Sequence, residues 1–473
     1  MSDPRVQPAL PLGVNVAGYL DATLGLGTAA RNVVDALRAA GVSVAPLVIA
    51  SDAPRELDPA HPPVAAEEPV HPVTIVCVNP DGMEGARDQL GDAAFADRHV
   101  IGMWWWEVDV MPQRWMRAFD LVDEVWVGSS FVADALAAIS PVPVVHVPLP
   151  VPRPVAAPAG RSELGLPEDT FLFGFVYDYR SVAARKNPLG LVQAFRRAFD
   201  GSRSGDDVGL VLKTLDGAGS DEHAAVVAAA DGDPRIMFVD ANMPAAEKNA
   251  LIRELDCYVS LHRSEGFGLT IAEAMILGTP VIATDYGGSR DFATAFNALL
   301  VDHRPVPIGP GSEPYPADAT WAEPDLGHAA ALMREAVDDH ETMHVRAMRA
   351  RSDLAEHHAP EAAGRAMADR LARVLTLPLD GSGTPQALDL KGVRERMARE
   401  PEPGDGTRDG PRAALRDAAL RAMRPYTVHQ RLVDEELLRV LQTLDERVQG
   451  LAAAQQALAV EVARLRDEVS GRE

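Results

Sequence analysis

The most informative part of this chain is the stretch Ser264-Glu265-Gly266-Phe267-Gly268-Leu269-Thr270-Ile271-Ala272-Glu273-Ala274, followed by Gly278-Thr279-Pro280-Val281-Ile282-Ala283-Thr284. The apolar, β-branched run 256–261 before it predicts a buried strand. The Ala/Met/Leu-rich run 270–277 predicts a helix that ends at Gly278, and residues 280–284 predict another buried strand. This order of strand, glycine loop, helix and strand indicates an α/β fold.

Two carboxylates flank the Gly-x-Gly loop at the start of that helix. The backbone N–H groups after Gly266 and Gly268 have no intrahelical partners, and the helix dipole adds positive potential, so a diphosphate suits this loop. A carboxylate can accept hydrogen bonds from two neighbouring sugar hydroxyls, so Glu265 and Glu273 suit the sugar and the ribose of one donor. A lone Gly-x-Gly is an ordinary βα loop with solvated glutamates. Here the loop, the spacing and the Gly-Thr-Pro-Val continuation together favour binding of a sugar-nucleotide.

This segment resembles the donor-site signature of the retaining GT-B glycosyltransferases of family 4, also called group 1 glycosyltransferases. In that family two glutamates are separated by seven residues, the first contacting the transferred sugar and the second holding the ribose. The resemblance implies that Glu265 is the catalytic sugar-side carboxylate and Glu273 the ribose partner. It also implies main-chain contacts to the donor from Gly266, Phe267, Gly268 and Leu269. It covers about residues 10–375.

Composition and charge narrow the classes of function. The 473 residues suffice for two domains and an appendage. No apolar stretch is long enough to span a bilayer, and no secretory leader is visible, so we expect a cytoplasmic protein, or one peripheral at the inner face of the membrane. A formal charge of −24 opposes nucleic-acid binding. The two cysteines, Cys77 and Cys257, fall in predicted buried strands, and no Cys/His cluster has metal spacing, so we expect no metal and no cofactor beyond the sugar-nucleotide co-substrate.

Strand and helix alternate along the chain, which predicts two doubly wound, mainly parallel sheets. The predicted strands of the first sheet are residues 12–16, 42–48, 73–78, 99–103, 124–127 and 142–147. Those of the second are residues 171–177, 208–213, 236–239, 256–261, 280–284 and 298–301. A proline-rich connection, 141–158, separates them. We therefore predict a Rossmann-like acceptor-side domain over 1–155 and a Rossmann-like donor domain over 156–377; the resemblance implies that they face each other across a cleft as in the GT-B fold.

The later part of the chain changes in character. Residues 302–321 are rich in proline and glycine and are predicted to be an irregular insertion, followed by closing helices over about 326–375, the last of which crosses back to the first domain in the resembling family. Residues 378–425 read as a linker. Apolar residues recur at alternating steps of four and three over 433–469, which predicts a coiled-coil helix over 426–473 and hence a homo-oligomer or a coiled-coil partner. A single amphipathic helix folded back on the body is the alternative.

An acidic protein needs a local basic site to bind an anion. The chain has four lysines, and Lys186 and Lys213 fall at the ends of predicted strands on the side of the Glu265 loop. The resemblance implies that Arg185 and Lys186, at the start of the next predicted helix, neutralise the donor diphosphate and act catalytically. Because the spacing departs from that of the family, Arg180 is the alternative to Arg185. Lys213 is a donor-site candidate or a surface residue.

Three further sequence features give weaker indications of function. Gly25-Leu26-Gly27 opens a predicted helix after the first strand, and the resemblance implies that this loop approaches the donor phosphates or the acceptor across the cleft. His262 either polarises the donor, holds Glu265 or is an ordinary loop histidine. Asp231-Gly232-Asp233 resembles a metal-binding carboxylate motif, but its Gly/Pro-bounded context predicts a turn.

Five of the six tryptophans lie between Trp104 and Trp126. Aromatic planes stack on sugar rings, and a carboxylate beside them can orient or deprotonate a hydroxyl, so Trp105 and Glu107 are the acceptor-side candidates. Trp126 and at least one of the three consecutive tryptophans are expected in the core. The Trp-x-x-Glu pattern and the segment 124–129 resemble enzymes of bacterial polysaccharide gene clusters.

The predicted activity is retaining, metal-independent transfer of a hexose from a nucleoside diphosphate sugar to a carbohydrate or lipid-linked acceptor, in cell-surface polysaccharide synthesis. The alternatives are a phosphorylase or epimerase of related fold, or an inactive scaffold that uses the coiled coil to assemble other transferases. The base and sugar of the donor, the acceptor and the linkage stay open.

Overall fold

The computed structural model describes residues 12–22, 24–51, 67–200 and 207–376. The described residues up to Val374 belong to one compact unit. The predicted linker 378–425 and the predicted coiled coil 426–473, with its apolar repeat over 433–469, lie outside the described residues.

The first sheet has six strands, all parallel, as the alternating pattern predicts. They are β1 (Gly13–Gly18), β2 (Ser43–Val48), β3 (Val73–Cys77), β4 (His99–Trp104), β5 (Glu124–Val127) and β6 (Val144–His146), in the spatial order β2-β1-β3-β4-β5-β6. The helices among them are α1 (Gly25–Ala39), α2 (Met83–Leu90) and α3 (Ser130–Ala137). Helix α1 buries Ala29, Val33 and Leu37 on one face, at the helical spacing of the sequence.

The second sheet also has six parallel strands. They are β7 (Phe171–Asp178), β8 (Val208–Leu215), β9 (Ile236–Asp240), β10 (Cys257–Ser260), β11 (Val281–Thr284) and β12 (Leu299–Val301), in the order β12-β11-β10-β7-β8-β9. Strands β7 and β10 are neighbours, and the chain winds away from them in opposite directions. In such sheets ligands bind outside the carboxyl ends of the two strands where the order reverses.

Five helices connect the strands of this second sheet. They are α4 (Ala183–Lys186), α5 (Pro188–Phe199), α6 (Asp221–Ala230), α7 (Ala245–Glu254) and α8 (Leu269–Leu277). Buried strands and aromatic rings form the core, with Phe173 packing against Phe195 and Phe199 at centroid distances of 6.2 and 5.7 Å. The predicted turn at Asp231-Gly232 is confirmed between α6 and β9, with φ values of 53° and 69°.

Within the described residues, the second sheet is followed by the helices α9 (Leu326–Asp338), α10 (His340–His357) and α11 (Pro360–Thr376). Helix α11 packs against the first domain, where a Cβ on Gly364 would lie 2.0 Å from the carbonyl oxygen of Ala36 in α1. Arg370 of α11 also pairs with the buried Glu124 of β5. The final helix therefore crosses back to the first sheet, as the resemblance implies.

The prediction of an irregular insertion over residues 302–321 was correct only for residues 308–319, which contain no helix or strand. The two ends of the segment belong to an antiparallel hairpin of β13 (His303–Pro307) and β14 (Thr320–Pro324), which the prediction missed. Prolines at 305 and 307 made the segment look unlike a strand, because proline cannot donate to a sheet ladder. A two-stranded ribbon tolerates them, since each strand leaves one edge unpaired.

The change of sheet occurs between β6 and β7, and the predicted division between residues 155 and 156 stays a prediction. Within the described part of the chain, no helix combines the length and apolarity that crossing a membrane would require.

Candidate active site

The loop that joins β10 to α8 lies at the reversal point of the second sheet. Gly268 has φ +91°, a left-handed conformation that favours glycine, and it turns the chain into α8 at Leu269. A Cβ on Gly266 would lie 2.7 Å from the carbonyl oxygen of Trp106, so the first domain closes directly on this loop. Between them Phe267 is buried and packs 5.0 Å from Phe292, centroid to centroid. Both glycines are therefore required by backbone geometry, and Phe267 anchors the loop.

Glu265 of this loop is held between two cations. Its Oε1 accepts a hydrogen bond from Lys186 Nζ, and its Oε2 lies 3.1 Å from Arg185 Nη1. The side chains of Glu265, Lys186 and Arg185 are 11%, 16% and 5% exposed, so water screens these pairs weakly. Burial alone would raise the pKa of Glu265, but Lys186 and Arg185 outweigh it and lower the pKa to about 2. The carboxylate is therefore ionised at neutral pH.

Arg185 and Lys186 end the single turn α4 and do not open α5, which corrects the prediction of a basic pair at a helix start. Asn187 follows with φ 55° and caps α5, its side chain accepting from the N–H of Gly190. At the last turn of a helix, cations interact favourably with the dipole. The Asn187 amide also donates to the carbonyl oxygen of Leu261 at 2.9 Å, which fixes α4 against the end of β10.

Of the two arginines considered for the diphosphate, Arg185 is the one beside Glu265. Its Nη1 donates to the carbonyl oxygen of Ser264 at 2.9 Å, and its buried Nε is without a hydrogen-bond partner in the described part of the chain. Arg180 is 57% exposed and pairs with Asp216 at 3.1 Å. The geometry thus favours Arg185, which lies beside Glu265, over the exposed Arg180.

Glu273 lies on α8, eight positions after Glu265. Its Oε2 accepts a hydrogen bond from Lys248 Nζ of α7 at 2.7 Å, and both side chains are largely buried. Sequence reasoning gave Lys248 no role. The available signal was the scarcity of lysine: the chain has four lysines, and three of them lie in the second domain.

Lys213 and His262 are both interior residues. Lys213 is 3% exposed at the end of β8, and its Nζ donates to the carbonyl oxygen of Thr214, which excludes the surface alternative. The Nε2 of His262 donates to the carbonyl oxygen of Tyr286 at 3.0 Å, and its Nδ1 lies 3.0 Å from Ser260 Oγ. Burial lowers the pKa of His262, with Glu265 opposing the effect. Both ring nitrogens are engaged by Ser260 and Tyr286, as in an ordinary buried loop histidine, and a role of His262 in donor binding stays a prediction.

The side chain of Glu107, in the first domain, lies near Arg185 in the candidate active site. Its Oε1 lies 4.0 Å from Arg185 Nη2, and its Oε2 accepts a hydrogen bond from the Tyr315 hydroxyl at 3.1 Å. The main-chain carbonyl of Glu107 also accepts from Ser264 Oγ. Arg185 thus lies between a carboxylate of each domain. Tyr315 was missed because it belongs to the segment expected to be irregular, and no pattern in the sequence places it here.

The other first-domain candidates are Trp105 and Gly27, which are buried, and Gly25, which is exposed. All three consecutive tryptophans are buried, Trp105 at 8% exposure, so the observed packing does not favour stacking of its ring on a sugar. Gly25 is the exposed first residue of α1. Gly27 is buried, and a Cβ there would lie 2.5 Å from the carbonyl oxygens of Tyr19 and Ala22, so it permits close packing of α1 on the turn after β1. Their roles in binding stay predictions.

Comparison with known proteins agrees with this geometry. Residues 159–305 match the family described as glycosyl transferases group 1. The chain is 34% identical over 191 residues to a D-inositol 3-phosphate glycosyltransferase of Arthrobacter sp. (strain FB24), covering 39% of this chain and 44% of the relative. It is 32% identical over 129 residues to a trehalose synthase of Rubrobacter xylanophilus, covering 25% of this chain and 30% of the relative. The matches thus span less than half of the length of these curated relatives.

Solved structures share the fold. Sucrose-phosphate synthase from Thermosynechococcus elongatus superimposes with a TM-score of 0.57 at 17% identity, covering 77% of this chain and 99% of that one. Anabaena HepE, in complex with UDP and glucose, gives a TM-score of 0.57 at 14% identity, covering 76% of this chain and 100% of that one. The fold is therefore GT-B-like.

Proposed function

We propose that the chain is a retaining glycosyltransferase of family 4 that moves a hexose from a nucleoside diphosphate sugar to a carbohydrate or lipid-linked acceptor. The observation that carries the proposal is the buried Glu265 carboxylate, ionised between Lys186 and Arg185 at the reversal point of the second sheet. An ionised carboxylate beside two fixed cations suits a site that binds sugar hydroxyls and an anionic leaving group together.

The residues divide the chemistry between them. As the glycosidic C–O bond breaks, its electron pair goes to the departing diphosphate, and Arg185 and Lys186 stabilise the charge that develops there. Glu265 accepts hydrogen bonds from the transferred sugar, and Glu273 accepts those of the ribose. The acceptor oxygen forms its new bond on the same face of the sugar and passes its proton to Glu107 or to the leaving phosphate oxygen. This course needs no covalent intermediate on the enzyme.

The names of two curated relatives, an inositol phosphate glycosyltransferase and a trehalose synthase, support the proposal that this chain transfers a sugar. We place this chain in cell-surface polysaccharide synthesis, in the cytoplasm or at the inner face of the membrane, because its Trp-x-x-Glu pattern resembles enzymes of such gene clusters. We further propose that residues 433–469 mediate self-association or bind a coiled-coil partner. The reaction is proposed to need no metal.

A panel of nucleoside diphosphate sugars tests the activity directly. The true donor raises the melting temperature of the full chain, because it binds the folded state alone, and it is consumed in the presence of EDTA. NMR of the product reports whether the anomeric configuration is retained. If the chain binds none of the sugars, the transferase assignment fails and the scaffold alternative is favoured. Turnover that requires free phosphate and no nucleotide establishes the phosphorylase alternative instead.

A further inference from the structure

The hairpin β13–β14 is joined to both sides of the candidate active site. Within the second domain, Arg263 pairs with Glu323 of β14 at 2.6 Å, and its guanidinium donates to the carbonyl oxygen of Ala184 in α4. The backbone N–H of Ala322 donates to the carbonyl oxygen of Arg263 at 2.9 Å. The hairpin is thus bonded to Arg263, which precedes Ser264 and Glu265, and Arg263 is in turn bonded to the helix that carries Arg185 and Lys186.

The residues between the two strands extend this connection to the first domain. The ring of Tyr315 packs against Trp106 at 5.2 Å between centroids, and the side chain is 7% exposed. Its hydroxyl donates to Glu107 Oε2 at 3.1 Å. A second contact joins Thr320 Oγ1 of β14 to Asp109 Oδ2 at 3.2 Å. Asp109 lies three residues after Trp106 in the first domain.

The Tyr315 hydroxyl has a specific consequence for Glu107. One carboxylate oxygen of Glu107 accepts from Tyr315, while the other faces Arg185 at 4.0 Å. Together these two groups fix both the position and the rotation of the carboxylate. Burial raises the pKa of Tyr315, so the phenol keeps its proton at neutral pH and serves as a donor.

We propose that Tyr315 is a positioning residue for the acceptor: its hydroxyl orients the Glu107 carboxylate toward the acceptor hydroxyl, and the 303–324 hairpin is the element that delivers it. The proposal rests on the transferase function proposed above and assigns to that site a residue outside both sheets. Because the buried hydrogen bond is made to Glu107 and not to Glu265, its loss should impair acceptor use and leave donor binding unchanged.

The test compares Tyr315→Phe with Thr320→Val in the full chain. Tyr315→Phe keeps the ring that packs on Trp106 and removes the hydroxyl, whereas Thr320→Val removes the hairpin's other hydrogen bond to the first domain. Donor binding is measured by calorimetry with UDP-glucose, UDP-N-acetylglucosamine, GDP-mannose and ADP-glucose, and transfer is measured with the donor that binds. Hydrolysis of that donor by water is followed in parallel.

We expect Tyr315→Phe to lower kcat for transfer about tenfold, since a hydrogen bond to a charged group is lost, with an unchanged donor Kd and unchanged hydrolysis. Thr320→Val should stay within about twofold of wild type. Full transfer by Tyr315→Phe, or an equal loss in both variants, overturns the role of Tyr315 while the transferase function stands. A wild-type chain that binds none of the four donors and turns none over overturns both proposals.

Discussion

Ser129 Oγ donates a hydrogen bond of 2.6 Å to the carbonyl oxygen of Gly266, and both residues are buried. Ser129 caps α3 in the first domain, and Gly266 belongs to the loop after β10 in the second. The neighbouring Ser130 N–H donates to Asp291 Oδ2 at 2.7 Å. The two domains therefore meet at the residue that follows Glu265, and the position of that carboxylate depends on contacts from both.

Gly266→Ala should damage the site through this domain contact. The added Cβ would lie 2.7 Å from the Trp106 carbonyl oxygen, a backbone atom that cannot rotate away. We expect transfer to fall at least tenfold, because small displacements of catalytic groups are costly. The control is Gly85→Ala in α2, where a Cβ meets nothing within 4 Å, and whose activity and stability should match or exceed those of wild type. Equal activity of the two variants would contradict the closed packing.

Glu265→Gln should abolish most transfer and also reduce stability. The change removes the charge that compensates Lys186 and Arg185 while nearly preserving shape. We expect a loss of kcat of about 100-fold or more, and a free energy of unfolding lower by about 3 kcal/mol, because two buried cations lose their partner. Kinetics and urea unfolding measure the two effects. Bound donor diphosphate should restore part of the stability, and a variant with wild-type turnover would remove Glu265 from the mechanism.

The ion pairs of Glu265 should also make stability depend on pH. Its pKa is about 2 in the folded protein against an ordinary value of 4.5, so its stabilising contribution is complete above about pH 4.5 and is lost as the pH falls toward 2. We expect up to about 3 kcal/mol of unfolding free energy to disappear over that range. Urea titrations at several pH values measure this slope. Glu265→Gln should show a shallower slope than wild type, and equal slopes would mean that Glu265 is not the group responsible.

Arg185→Lys and Arg180→Lys distinguish the two candidates for the diphosphate. Arg185 is buried beside Glu265, whereas Arg180 pairs with Asp216 on the surface. We expect Arg185→Lys to lower kcat about 100-fold, since lysine cannot reproduce the planar guanidinium contacts, and Arg180→Lys to stay within about twofold. Steady-state kinetics with the bound donor decide between them. If Arg180→Lys lowered kcat more than Arg185→Lys did, Arg180 would be the residue that contacts the diphosphate.

Glu273 and Lys248 should act as a pair in donor binding. Their 2.7 Å contact orients the carboxylate that we assign to the ribose. We expect Glu273→Gln to raise the donor KM about tenfold with kcat nearly unchanged, as for an interaction made equally before and during reaction. Lys248→Met should produce a smaller change in the same direction. In the double variant the effects should be less than additive, and strict additivity would show that the two residues act independently.

The sequence alone predicted the twelve strands of the two sheets, the glycine loop and the pair Glu265 and Glu273, because each of these features depends on residues that are close together in the chain. Runs of β-branched residues identify buried strands, and a glycine with φ +91° at 268 serves a turn that few other residues adopt. The hairpin escaped prediction because its prolines conceal a strand that needs hydrogen bonds on one edge alone.

Tertiary structure decided the strand order, and with it the composition of the site. The neighbouring positions of β7 and β10 bring Lys186 to Glu265 across 79 residues of sequence, and the hairpin brings Tyr315 to Glu107 across 208. Lys248 likewise meets Glu273 through the packing of two helices. Local sequence patterns indicate whether a side chain is buried and how the backbone turns. They do not indicate which distant residue contacts that side chain, because such contacts depend on packing and charge compensation over the whole folded chain.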